Sequence, residues 1–228
     1  ADHPLRGEPR YAHSVHGEDG LGEAKINQRE GEEWWQIFPG RADELIVKMA
    51  RQYPGEITLI AVGPLTNLAL ALREDPQGMR QLKEVVVMGG AVRVPGNVTP
   101  FAEFNIYVDP LAAKLVFESK LPVTLVPLDV THQAFLSFRV IEERVRPLHN
   151  SFSRFVVEAT GYDSQEGKFR AGAGVFAGAA LAVAIVDRAA NFCRRFFLCE
   201  PGSSEPDGMA DAVEAVLVRA EGGVVAGR

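Results

Sequence analysis

The chain has 228 residues, 46% of them hydrophobic and 24% charged, with a formal net charge of −6. This is the profile of a soluble globular chain long enough to bury one sizeable core. The acidic balance argues against nucleic acid or an anionic membrane as partner. Cys193 and Cys199 make neither a disulfide framework nor a zinc pattern, which fits a reducing, cytoplasmic setting. The opening ADHPLRGEPR has no initiator methionine and no apolar leader, and reads as a processed chain or a fragment.

The stretch through Gly40 is polar and reads as loop. His16, beside Gly17, could face a pocket, although an exposed loop histidine is the commoner case. Trp34 and Trp35 read as packing residues. From Ala42 to Gly55 the apolar residues Leu45, Ile46, Met49 and Ala50 share one helix face, and Pro54-Gly55 ends the helix. Ile57 to Val62 is a strand of the fully buried kind; Gly63-Pro64 turns the chain. Leu65 to Leu72 then continues as a helix, with Thr66 or Asn67 available as its cap. A second β-branched strand, Val85 to Met88, completes a βαβ unit, the building block of parallel sheets. The pattern repeats: Asp109-Pro110 starts a helix, and Pro122 to Leu128 forms the third strand. The expected fold class is α/β, an open mostly parallel sheet flanked by helices, in one domain over 1–228.

Between the second strand and Asp109 lies a long loop carrying Asn97, Glu103, Phe104 and Asn105. If its backbone is extended, Glu103 and Asn105 project from one face. A carboxylate and two amides at the end of a buried strand can hydrogen-bond a polyhydroxylated ligand such as a sugar, and ligands of open α/β sheets sit at the strands' carboxyl ends. The alternative is that these groups only pin the loop.

Asp129 and His132 follow the third strand, where Thr131 is a plausible helix cap. Helical patterns continue through Phe138–Arg146 and Ser151–Thr160. The apolar run inside Arg170–Asp187, sixteen residues, is shorter than the roughly 20 of a membrane helix and reads as a buried helix. Asp211 to Ala220 reads as a further helix. The sequence contains no GxSxG elbow, P-loop, HExxH or CxxC.

Four stretches carry a resemblance: HGEDGLG (His16–Gly22), ITLIAVGPLTNLALAL (Ile57–Leu72), VVVMGG with GNVTPFAEFNIYVDPLAA (Val85–Ala113), and VTLVPLDVTHQA (Val123–Ala134). In these the chain resembles the inosine/uridine-preferring nucleoside hydrolases, over 1–187, with 188–228 divergent. The resemblance implies hydrolysis of the N-glycosidic bond of ribonucleosides, a small-molecule nucleoside as partner, homo-oligomerisation, and a calcium ion that binds ribose hydroxyls and the attacking water. It implies that Asn97, Glu103 and Asn105 hold the ribose hydroxyls and that Phe104 and Met88 line the pocket. His16 would lie near its mouth, and Val62 would offer its main-chain carbonyl to calcium.

Two pieces of the family's pattern have no counterpart in this sequence. The Asp-x-Asp-x-Gly-x-Asp-Asp cluster of calcium ligands and water base does not occur, and Gly178 and Ala179 stand where the family has a His-Asp pair. The expectation is therefore weak or absent calcium binding and poor turnover by this chain. The alternative is a non-catalytic remnant of the fold that binds nucleosides or a partner.

Overall fold

The computed structural model describes residues 1–13, 17, 18, 20, 38–166, 174–176 and 218–219. The chain divides into two compact units: Ala1–Pro9 with Phe38–Gln133 and Gly178–Arg228, and Arg10–Ile37 with Ala134–Ala177.

The first unit is built on a four-stranded sheet. Its strands are β1 (Thr58–Ala61), β2 (Glu84–Met88), β3 (Val123–Val126) and β6 (Val218–Arg219), in the order β1-β2-β3-β6. The first three are parallel, with Leu59 opposite Val85 and Val86 opposite Thr124. This is the expected α/β arrangement. Parallel strands need crossovers, and the crossovers cover the sheet faces, so these strands read as nearly continuous apolar runs. Val85, Val86 and Val87 are fully buried as a result.

The helices of this unit are α1 (Ala42–Gln52), α2 (Thr66–Glu74), α3 (Pro76–Met79), α4 (Phe104–Val108), α5 (Pro110–Glu118) and α6 (Leu128–Thr131). Leu68, Ala69 and Leu72 of α2 and Ala112, Ala113 and Val116 of α5 form one core with Val85, Val87 and Val123.

Asp109 caps α5 as its sequence position suggests, accepting the Ala112 N–H at 3.0 Å. Its other oxygen accepts Leu5 N–H at 2.8 Å and the Thr66 hydroxyl at 2.7 Å. One fully buried carboxylate thus ties together the amino-terminal segment, the start of α2 and the start of α5.

Three local expectations change. Thr66 does not cap α2; its hydroxyl goes to Asp109, and the cap position falls on Leu65 without a side-chain bond. Thr131 is the last residue of α6 rather than the cap of a following helix. Val218–Arg219, expected in a helix, is a strand antiparallel to β3, with Val218 opposite Leu125.

In the second unit, β4 (Phe135–Ser137) pairs antiparallel with β5 (Gly174–Phe176). The latter was expected within a buried helix; a short apolar run of small residues has no period that separates the two states. Helix α7 (Phe138–Val140) runs into a π-helical stretch (Ile141–Val145) and a 3-10 turn (Arg146–Leu148), and α8 spans Ser151–Glu166. The helical pattern read in this segment is realised. Among the described residues no helix is long and apolar enough to cross a membrane.

Candidate functional site

The carboxyl ends of β1 and β2 lie side by side, and the loop leaving β2 folds back over them. The turn begins at Gly90, whose φ of +79° lies in the left-handed region that disfavours a side chain. Its N–H donates to Glu103 Oε2 at 2.9 Å, and its carbonyl accepts the Leu128 N–H at 2.9 Å. The two ends of the loop are thereby joined, and the joint is fastened to the end of β3.

Glu103 is the centre of this arrangement. It is 2% exposed, and the same Oε2 also accepts the N–H groups of Asn105 at 2.9 Å and Ile106 at 3.3 Å. Those two bonds make Glu103 the cap of α4, with φ −81° and ψ 151°. The backbone is therefore extended only up to Glu103; Asn105 already lies in the first turn of a helix. The period-two argument for a shared face does not apply, because donors at a helix start recruit the acidic side chain just before it.

The two side chains converge all the same. A Cβ placed on Gly89 would lie 3.2 Å from Glu103 Oε2 and 3.6 Å from Asn105 Cβ. Asn105, 8% exposed, donates from Nδ2 to the Met88 carbonyl at 3.0 Å, with the Val62 carbonyl and Met88 Sδ each at 3.4 Å. Its amide therefore bridges the carboxyl ends of β1 and β2.

Asn97 is exposed, and its Oδ1 accepts the Phe104 N–H at 2.9 Å. The hairpin between them closes tightly. Gly96 sits against Ala102, and a Cβ there would lie 2.2 Å from the Ala102 carbonyl oxygen. Thr99 Oγ1 accepts the N–H groups of Phe101 at 3.2 Å and Ala102 at 3.0 Å.

The structure thus brings together Val62, Met88, Glu103 and Asn105, and joins Asn97 to them through the amide of half-buried Phe104. His16, Gly178 and Ala179 lie outside the described residues. Sequence reasoning placed Asp129 only near the site. Its Oδ2 accepts the Val92 N–H at 2.9 Å and its Oδ1 the Arg93 N–H at 2.8 Å, so it holds the outgoing arm of the loop. The available signal was a carboxylate directly after the third strand; nothing in the spacing says which amides it meets.

Each polar side chain here spends one end on the protein. Among the described residues, Glu103 Oε1, Asn105 Oδ1 and Asn97 Nδ2 make no hydrogen bond. Two acceptors and a donor, held by a rigid frame, suit a ligand with several hydroxyl groups.

The donor set for a metal is thin. No group of three or more His, Cys, Asp or Glu among the described residues could hold an ion. Calcium takes six to eight oxygens, roughly. The Val62 carbonyl is a single neutral donor and already faces the Asn105 amide at 3.4 Å. These residues do not fit calcium.

The family model for inosine-uridine preferring nucleoside hydrolases matches residues 1–227. The chain belongs to that family.

The chain is 42% identical over 149 residues to a probable uridine nucleosidase 1 of Oryza sativa subsp. japonica, covering 65% of this chain and 44% of that protein. It is 43% identical over 157 residues to the pyrimidine-specific ribonucleoside hydrolase RihA of Salmonella arizonae, covering 68% and 48%. Among solved structures it is similar to the plant nucleoside hydrolase PpNRh1, with a TM-score of 0.70 at 32% identity, over 81% of this chain and 58% of that one. The purine-preferring ribonucleoside hydrolase from Gardnerella vaginalis superposes with a TM-score of 0.71 at 28% identity, over the same 81% and 58%. The chain spans about half the length of the curated relatives it matches.

Proposed function

We propose that this chain carries the ribose grip of a nucleoside hydrolase, whose reaction splits the N-glycosidic bond of ribonucleosides into ribose and free base. The observation that carries the reading is the Asn105 amide bridging the Val62 and Met88 carbonyls beside the buried Glu103 carboxylate. The relatives' names support it. They differ in the base, uridine, pyrimidine or purine, but share the nucleoside. A loop of amides and a carboxylate that reads the sugar suits all three.

In this reaction the C1′–N bond breaks with its electron pair leaving on the base. A water oxygen bonds to C1′, one proton of that water stays on the sugar and the other ends on the base. Positive charge builds on the ribosyl ring as the bond opens, as in other glycoside chemistry. In the proposed pose Glu103 stabilises that charge, while Asn97 and Asn105 hold hydroxyls without having to reorganise. Met88 and Phe104 line the sugar side of the loop in this pose. The sequence carries neither the Asp-rich cluster nor the His-Asp pair of the family, so we expect poor turnover and weak calcium binding by this chain alone. We also expect it to self-associate, which sedimentation velocity over a concentration series would test.

A second reading is a nucleoside-binding module without turnover, favoured by the sparse metal donors among the described residues. Calorimetry with ribose, inosine and uridine, run beside a reducing-sugar assay with and without calcium chloride, separates the two. Binding that weakens about tenfold in Asn105→Ala supports the ribose grip. A folded chain that binds none of the three at about 10 mM, well above the weakest useful affinities, refutes it. Sugar release then decides between enzyme and module.

A further inference from the structure

A concavity lies between α2, α3 and α5, with a volume of about 300 Å³. The helices that follow parallel strands run back along the sheet. Its lining at the carboxyl ends of α2 and α5 therefore places it at the opposite end of the sheet from the ribose loop. Ala69, Leu72, Pro76 and Leu115 supply an apolar floor. Arg73, Arg80 and Lys120 line the same space.

These three cations form no ion pair or hydrogen bond with any described residue. Nearby cations do: Arg51 is bonded to Asp75, and Arg41 to Asp43 at 2.8 Å. The one carboxylate on the rim, Glu118, faces Lys114 at 3.9 Å across a helical turn. All three are exposed, so their charge is open to a ligand arriving from solvent.

The helix dipole explains part of the pattern. Arg73 sits in the last turn of α2, and Lys120 lies just past Ser119, the carboxyl-terminal cap of α5, where a cation complements free carbonyls. It does not explain why both, together with Arg80, meet at one concavity. Two helix ends at roughly half a negative charge each, plus Glu118, still leave a surplus of about one positive charge.

We propose that this concavity binds a small phosphomonoester with an apolar body. The guanidinium groups of Arg73 and Arg80 match phosphate geometry, Lys120 adds a point charge, and the floor accepts the body. The volume is at the small end of ligand sites, which excludes large nucleotides. The proposal does not depend on the ribose loop.

The test is a titration of the full chain with phenyl phosphate, with inorganic phosphate as the second arm, followed by amide chemical shifts. Phenyl phosphate should saturate, shifting Leu72, Leu115 and Lys120, and should bind at least about fivefold more tightly than inorganic phosphate because only it covers the floor. Arg80→Gln should weaken it about tenfold. Lys120→Gly should also weaken it. Lys120 has φ +64°, so glycine there relieves backbone strain, and the loss cannot come from unfolding. Equal binding of both phosphates, shifts at other residues, unchanged affinity in Arg80→Gln, or no shift at about 10 mM ligand, beyond any specific affinity, would overturn the proposal.

Discussion

Replacing Glu103 by alanine should cost more than any other single change in the ribose loop. Its Oε2 serves three N–H donors: Gly90 and Asn105 at 2.9 Å each, and Ile106 at 3.3 Å. A hydrogen bond to a charged group contributes about 1.5–3 kcal/mol net. Two short bonds counted in full and one long bond counted at half give roughly 4 kcal/mol at the low end of that range. The low end is appropriate because a loop can admit water to orphaned amides. Against a total stability of about 5–15 kcal/mol, that loss is large. Glu103→Gln keeps an acceptor and loses the charge, so about 2 kcal/mol should go. Urea unfolding followed by circular dichroism reads both, provided the slope with denaturant stays constant. A loss below about 1 kcal/mol for Glu103→Ala would refute the central place given to this carboxylate, because that is the worth of a single ordinary bond. Equal losses for alanine and glutamine would show that the charge, not the acceptor, is what the amides need.

Asp109→Asn should cost about 2–4 kcal/mol by the same measurement, because the amide nitrogen would face either the Ala112 N–H or both the Leu5 N–H and the Thr66 hydroxyl. Gly96→Ala should leave the melting temperature within a few degrees but abolish ribose binding in calorimetry, since its Cβ would sit 2.2 Å from the Ala102 carbonyl oxygen and force the hairpin apart. Acid unfolding should depend on Asp43. The Arg41 side chain, hydrogen-bonded to it, holds its carboxyl below the usual carboxylate range against the opposing effect of burial. A carboxyl lowered on folding contributes in full above about pH 4, the unfolded value, and that contribution is lost as pH falls through the lower folded value. Asp43→Asn should therefore flatten the fall of stability as pH drops below about 4 in urea titrations.

What the sequence made legible follows a physical division. The strands at Glu84 and Val123 are short, β-branched and mostly buried, so composition and punctuation suffice to find them; Thr58–Ala61, expected to be fully buried, is half-buried throughout because among the described residues it pairs only with β2. Asp109-Pro110 announces a helix start because both residues act locally. Legibility fails where the deciding partner is remote. Thr66 would be an ordinary cap if Asp109, forty-three positions away, did not take its hydroxyl. Asp129 reaches back thirty-seven positions to Val92. Val218–Arg219 becomes a strand through pairing with Thr124 and Leu125, and nothing local demands it.

The loop shows why two readings of the same residues need not compete. A polar side chain that braces a loop and one that binds a sugar were posed as alternatives, but carboxylates and amides have two ends. Glu103 gives Oε2 to three amides, Asn105 gives Nδ2 to strand carbonyls, and Asn97 gives Oδ1 to Phe104. The brace fixes the direction of the unused atom, so the conformational cost of positioning it is met on folding rather than on binding. That predicts a separation between isosteric variants. Asn105→Asp removes the donors to Val62 and Met88 and brings a negative oxygen against their carbonyls, so it should destabilise the fold and weaken ribose binding together. Asn97→Asp keeps the acceptor for the Phe104 amide and removes only the free Nδ2, so it should weaken ribose binding while leaving the urea midpoint unchanged. If the two variants behave alike in both measurements, the unused ends are not what meets the ligand.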